Sequence, residues 1–185
     1  MAKGKKDRAD KAKRLSRPGR RRLQWLVGGS VAVVAAVVVG YFAYRAVADL
    51  PGMSYPDLGN AHIQTLAEPH APYNSDPPTS GPHLPYIAPW GVHTEPIPKE
   101  LQVHNLEDGG VVVQFNCPTG CADLVDKLKT IVQRYERQVL LAPYSGMKTR
   151  IALTAWTRLD AFDEFDEARV VTFIRAYRGI DHHRG

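Results

Sequence analysis

The sequence predicts a small two-layer α/β domain of element order β-α-β-β-α, preceded by a proline-rich arm and one transmembrane helix. Three observations predict it. A charge-free run of 20 residues, Trp25 to Tyr44, follows a strongly basic segment. Nine prolines crowd residues 67–98. From residue 102 onward, short β-branched runs alternate with stretches of helical apolar spacing. Alternation of this kind is what a sheet covered by helices requires.

The 185-residue chain falls into unlike parts, starting with residues 1–22, which carry eleven Lys or Arg against Asp7 and Asp10. The formal charge of the whole is +5, so the tail is +9 and the remainder −4. A block of like charge without apolar periodicity predicts a disordered tail. Residues 23–46 form the expected membrane helix: a bilayer core of about 30 Å needs about 20 helical residues. Trp25, Tyr41 and Tyr44 suit the two interfaces. The Lys/Arg excess before the span predicts a cytoplasmic N-terminus and an extracytoplasmic domain at the cell membrane. The competing reading is a signal peptide cleaved after Ala46-Val47-Ala48, although an h-region of about 7–15 residues would be shorter than this one. The tail is expected to meet anionic lipid, and no nucleic acid partner is expected.

Residues 47–60 read as a stalk, 61–179 as the domain, and 180–185 as a disordered tail holding His182 and His183. The proline-rich arm admits no regular element of length, because proline removes donors and biases its predecessor away from the helical region. Val111–Phe115 (VVVQF) predicts a buried strand, with Gln102–Leu106 as a further strand before the Gly109-Gly110 turn. Leu124, Val125, Leu128, Ile131, Val132 and Tyr135 share one helical face. Strands are expected at 138–142 and 151–156, and a last helix at 163–177. A thioredoxin-like half is one arrangement of these elements.

Cys117 and Cys121 are the only cysteines, at the join of strand and helix in Cys117-Pro-Thr-Gly-Cys121. With Pro118 in the first helical turn, Cys117 is expected near the N-cap and Cys121 about one turn on. Two thiolates there suit a soft metal such as Cu(I), or thiol–disulfide exchange, while a local structural disulfide is the plain alternative. Outside the cytoplasm, imidazoles can complete such a set. His83 closes the stiff Pro77-Pro78-Thr79-Ser80-Gly81-Pro82-His83 segment, and His104 precedes Glu107 and Asp108. The expected metal ligands are therefore Cys117, Cys121, His104 and His83, with Glu107 or Asp108 supporting an imidazole from behind. His62, His70 and His93 read as surface polar groups and Met147 as packing. No phosphate loop or nucleophile elbow is present, so no catalytic residue is assigned.

The motifs PPTSGPH (77–83), Pro-Trp-Gly (89–91), VHNLEDGGVVV (103–113) and IALTAW (151–156) closely resemble the bacterial family called domain of unknown function 3105. The resemblance covers roughly residues 60–179 and implies one N-terminal span followed by this domain; it implies no activity. Many members carry histidine after the glutamate of the Leu-Glu-x-Gly-Gly motif, where this chain has Asp108. Residues 111–135 also resemble Sco-type copper chaperones, which open a helix with a C-x₃-C pair; their downstream histidine has no counterpart between Cys121 and the C-terminal tail here. The resulting expectation is a membrane-anchored metal-binding protein, with Cu(I) ahead of Zn(II). The alternatives are a thiol–disulfide oxidoreductase, or an accessory subunit docking on a membrane complex or metal-transfer partner.

Overall fold

A computed structural model describes residues 17–48 and 50–183, with side chains described for 24–45 and 50–183. The expected basic tail before Arg17 and the last two residues of the expected C-terminal tail lie outside the described residues. The chain divides into two compact units, with the boundary between Leu50 and Pro51.

The first unit is helix α1, Arg17–Ala48. It begins six residues before the expected membrane helix. Arginine is a good helix former and Pro18 is tolerated in the first turn, so the helix extends into the basic segment. Within it Gln24–Arg45 has a mean hydropathy of 2.2, with no residue buried in protein, and is long and apolar enough to cross a membrane. A signal sequence near an N-terminus has the same properties.

The second unit contains a six-stranded mixed sheet and three helices. The strands are β1 (Met53–Ser54), β2 (Gly91–Val92), β3 (Val111–Phe115), β4 (Val139–Pro143), β5 (Ile151–Ala155) and β6 (Arg158–Phe162). The helices are α2 (Lys99–Glu107), α3 (Ala122–Val132) and α4 (Glu167–Tyr177). The sheet order is β1-β6-β5-β3-β4-β2. β3 runs parallel to β4 and antiparallel to β5, and β5 antiparallel to β6. The parallel pair needs a crossover, which α3 supplies.

Side-chain alternation along β3 explains which helix lies on which face. The side-chain amide of Gln114 meets that of Gln102 of α2 at 2.9 Å, and Val112 packs with Val103 and Leu106. The even-numbered face of β3 therefore carries α2 and the arm. Asp160 is opposite Leu153, which is opposite Val113, so all three share the other face. There Arg169 of α4 binds Asp160 at 2.5 and 2.8 Å, and Arg134, just past α3, pairs with Glu167 of α4 at 2.7 Å. β3, β4 and β5 are buried on both faces and accordingly read as mainly apolar runs, interrupted only by Gln114 in β3 and Thr154 in β5.

Three expectations are corrected. The segment 102–106 is helix, not strand. It is sandwiched between sheet and arm, so every residue from Gln102 to Glu107 is buried and no one-sided apolar stripe marks the helix. Strand β6 was not expected, because the Trp156-Thr157 connection lacks the Asn-Gly or Asp-Gly chemistry of a two-residue hairpin; Thr157 itself takes φ 59°. The stalk is shorter than 47–60, since β1 pairs with β6 and Gly59 and Ala61 accept hydrogen bonds from Gly81 and His83.

The proline-rich arm is fastened to the domain by its polar groups. Asn105 of α2 bonds both Ala88 N–H and Ala88 C=O, at 2.9 and 2.8 Å. Tyr73 donates to Pro82 C=O at 2.6 Å, and Ser80 Oγ accepts from Leu58 N–H at 3.0 Å. The arm's aromatic residues Tyr73 and Trp90 pack against the apolar cluster of Val103, Leu106, Val112 and Trp156.

Candidate metal centre

Two parts of the chain 21 residues apart meet first. His62 and His83 form a parallel bridge, with Ile63 N–H donating to His83 C=O at 2.8 Å and His83 N–H to Ala61 C=O at 3.0 Å. The last turn of α2 supplies the rest: His104 and Glu107 stand at i, i+3 and share a face, with Asp108 capping the helix end. One donor atom from each of His62, His83, His104 and Glu107 lies within 4.8 Å of all the others.

Glu107 is the hub. Its Oε2 is 2.9 Å from His83 Nε2, 3.8 Å from His62 Nε2 and 3.9 Å from His104 Nδ1. Its Oε1 accepts from Asn60 Nδ2 at 2.6 Å, which orients the carboxylate and leaves Oε2 facing the imidazoles. His83 and Glu107 are fully buried. His83 Nδ1 lies 2.7 Å from Gly81 C=O, an acceptor only, so Nδ1 carries the proton. In a neutral ring, Nε2 then directs a lone pair at Glu107 Oε2. Two buried acceptors 2.9 Å apart need a proton or a cation between them. A proton satisfies that pair alone. It leaves His104 Nδ1 buried with no hydrogen-bond partner among the described residues. A cation bound by all four groups satisfies every one of them. Ligand atoms about 2.0 Å from a tetrahedral metal lie roughly 3.3 Å apart, inside the observed spread.

The site opens on the side of His62, whose side chain is 42% exposed, and of His183, 46% exposed. The C-terminal segment, expected to be disordered, docks here. His182 N–H donates to Glu107 C=O at 2.9 Å, and its ring stacks on Trp156 at 5.8 Å. His183 Nε2 stands 3.5 Å from Glu107 Oε2 and 3.6 Å from Asp108 Oδ1.

Electrostatics favour the neutral imidazole of His104 and the ionised carboxylate of Glu107. Burial pushes Glu107 up, but the Asn60 amide and the His83 imidazole outweigh it and hold the carboxyl below its ordinary 4.5. Burial drives His104 below 6.5, helped by His83 and His62 and opposed by Asp108 and Glu107. In both cases the unfolded chain takes up its proton at a higher pH than the folded one. Stability from His104 is thus complete above pH 6.5 and lost as pH falls through its lower folded value; Glu107 repeats this below 4.5. His183, raised by its bond to Asp181, works in the opposite sense, but is exposed and screened. The metal-free protein is therefore expected to melt at progressively lower temperature from pH 7.5 to pH 4. A flat profile in thermal unfolding monitored by circular dichroism would contradict this.

The structure brings His83 and His104 together and leaves Cys117 and Cys121 apart from them. The two cysteines are joined in a disulfide, with Cα atoms 5.7 Å apart. They lie beyond the C-terminal end of β3, whereas His104 and Glu107 precede its N-terminal end; five strand residues span about 16 Å. Cys117 begins a turn closed by Gly120 N–H to Cys117 C=O at 3.1 Å, and Cys121 is the N-cap of α3, so neither sulfur sits a turn inside the helix. Thiolate ligation at this point would require reduction and would recruit none of the four donors. His62 and Glu107 as donors were not expected from sequence. The His104-x-x-Glu107 spacing becomes a signal only once 99–107 is read as helix. The pairing of residues 62 and 83 leaves no local trace.

The family model described as "Protein of unknown function (DUF3105)" matches residues 65–184. That interval contains His83, His104, Glu107, Asp108 and His183, and begins three residues after His62. No curated protein and no solved structure matches the chain.

Proposed function

The chain belongs to the family of proteins of unknown function DUF3105, and we propose that it is a membrane-anchored, extracytoplasmic metal-binding protein whose ligands are His62, His83, His104 and Glu107. The observation that carries this reading is the 2.9 Å approach of buried His83 Nε2 to Glu107 Oε2, beside His104 Nδ1, which is buried and has no hydrogen-bond partner among the described residues. The domain's placement outside the cell rests on the Lys/Arg excess ahead of the span. Three imidazoles and one carboxylate form a nitrogen-rich, borderline set that suits Cu(II) or Zn(II). Cu(I) held by thiolates would need the disulfide reduced first.

The test is metal analysis of the full-length protein in detergent micelles after exposure to Zn(II) or Cu(II) and desalting. Retention of metal, with nitrogen hyperfine structure in the Cu(II) paramagnetic resonance spectrum, supports the reading. A wild-type protein that retains none overturns it. The Cys117→Ser/Cys121→Ser double variant is expected to load metal as the wild type does; loss of loading there would return the site to the cysteines.

A second reading is thiol–disulfide exchange with a dithiol partner, favoured by the half-exposed disulfide at the start of α3. It predicts reversible reduction by a thioredoxin-type dithiol under native conditions. A disulfide inert to such a dithiol excludes it.

A further inference from the structure

His104 faces two carboxylates with its two ring nitrogens. Nδ1 is 3.9 Å from Glu107 Oε2, and Nε2 is 3.8 Å from Asp108 Oδ1. The second direction leads to a separate donor group, His104, Asp108 and His183, whose ligand atoms also lie within 4.8 Å of one another. One ion cannot use both nitrogens of an imidazole, because their lone pairs diverge within the ring plane. A single ion among the buried donors therefore leaves Nε2, Asp108 and His183 over.

We propose that the cluster holds two divalent transition-metal ions that share His104: a buried one on His62, His83, His104 and Glu107, and an outer one on His104, Asp108 and His183. The inference rests on the metal-binding reading above and extends it. Two further observations support it. The C-terminal segment is held over the site at backbone level, by Gly179 N–H to Gly109 C=O at 2.8 Å and His182 N–H to Glu107 C=O at 2.9 Å, so His183 is delivered by a docked segment. Charge also balances. Glu107, Asp108 and a bridging imidazolate supply three negative charges against four positive ones, leaving one for water-derived hydroxide or an anionic ligand. Forming the bridge breaks the remaining ring N–H of neutral His104; that proton leaves to solvent as the second metal–nitrogen bond forms.

The outer ion has few protein ligands and an open side, so it is the exchangeable one and the place where a small oxygen-donor molecule would bind. Asp108 would have a humbler role if only one ion binds, accepting a hydrogen bond from His104 and fixing its ring.

The experiment measures Zn(II) and Cu(II) stoichiometry on the full chain in micelles, in a His70→Ala/His93→Ala background that removes two histidines outside the cluster. Two ions per chain are expected, falling to one in Asp108→Asn/His183→Ala. With Cu(II), the shared imidazolate couples the two centres, so paramagnetic signal per copper is weak in the parent and recovers in the double variant. One ion in the parent, or two in the double variant, overturns the shared-site proposal and leaves the buried site standing. No ion in the parent overturns both readings.

Discussion

Glu107→Ala is expected to lower metal affinity by more than about 100-fold. Removing a residue that merely supports a ligand costs roughly 10- to 100-fold, and Glu107 is the hub to which all three imidazoles converge. It is also the only anionic donor of the four. The readout that separates this effect from simple damage is the metal-induced thermal shift. An ion at about 100 times its Kd stabilises the folded state by about 2.7 kcal/mol. Wild type should show that shift and Glu107→Ala should not. The variant will also be less stable without metal, by about 2 kcal/mol, because the Asn60 amide and His83 lose their partner. Glu107→Gln keeps the shape and loses the charge; it should keep most of the metal-free stability and still lose the shift. If Glu107→Gln binds metal like wild type, the carboxylate is not a ligand.

The same residues show what a sequence can and cannot disclose. Elements that bury one face, or bury a β-branched run completely, write that burial into their own composition. Val111–Phe115 and the stripe Leu124, Leu128, Ile131 were legible for that reason. Helix α2 was not, because sheet and arm cover it on opposite sides and its buried residues include Gln102, His104, Asn105 and Glu107. These polar groups read as a loop or a strand edge until their partners are known. The site inherits the same opacity. His83 and His104 could be singled out from their stiff or acidic surroundings, but His62 joins them through backbone pairing with a segment 21 residues on, and His183 through a tail that looked too polar to dock. The cysteine pair was conspicuous because its chemistry is local. The four proposed metal donors come from three separate stretches and share nothing but a location.

Gly110→Ala is expected to cost about 3 kcal/mol of stability, lowering the melting temperature by roughly 10 °C, and to damage the metal site with it. A Cβ at Gly110 would lie 2.3 Å from Asn105 C=O and 2.7 Å from the Trp90 ring. The oxygen cannot yield easily: it accepts Gly110 N–H at 2.8 Å and belongs to the last turn of α2. That turn carries His104 and Glu107, and the Asn105 side chain at its centre clamps the arm through Ala88. Relief of the clash must therefore move the helix end off the sheet, the arm off the helix, or both. Gly120→Ala is the control. Its Cβ meets nothing within 4 Å, so the cost is the left-handed backbone at φ +87° alone, about 1 kcal/mol, near the disulfide and away from the histidines. The two variants should differ in metal loading more than in stability: Gly120→Ala should load fully, and Gly110→Ala should lose ions even at temperatures where it remains folded. Equal loading in both would mean that α2 and the arm tolerate separation without disturbing the donors, and that the close approach at Gly110 serves packing alone.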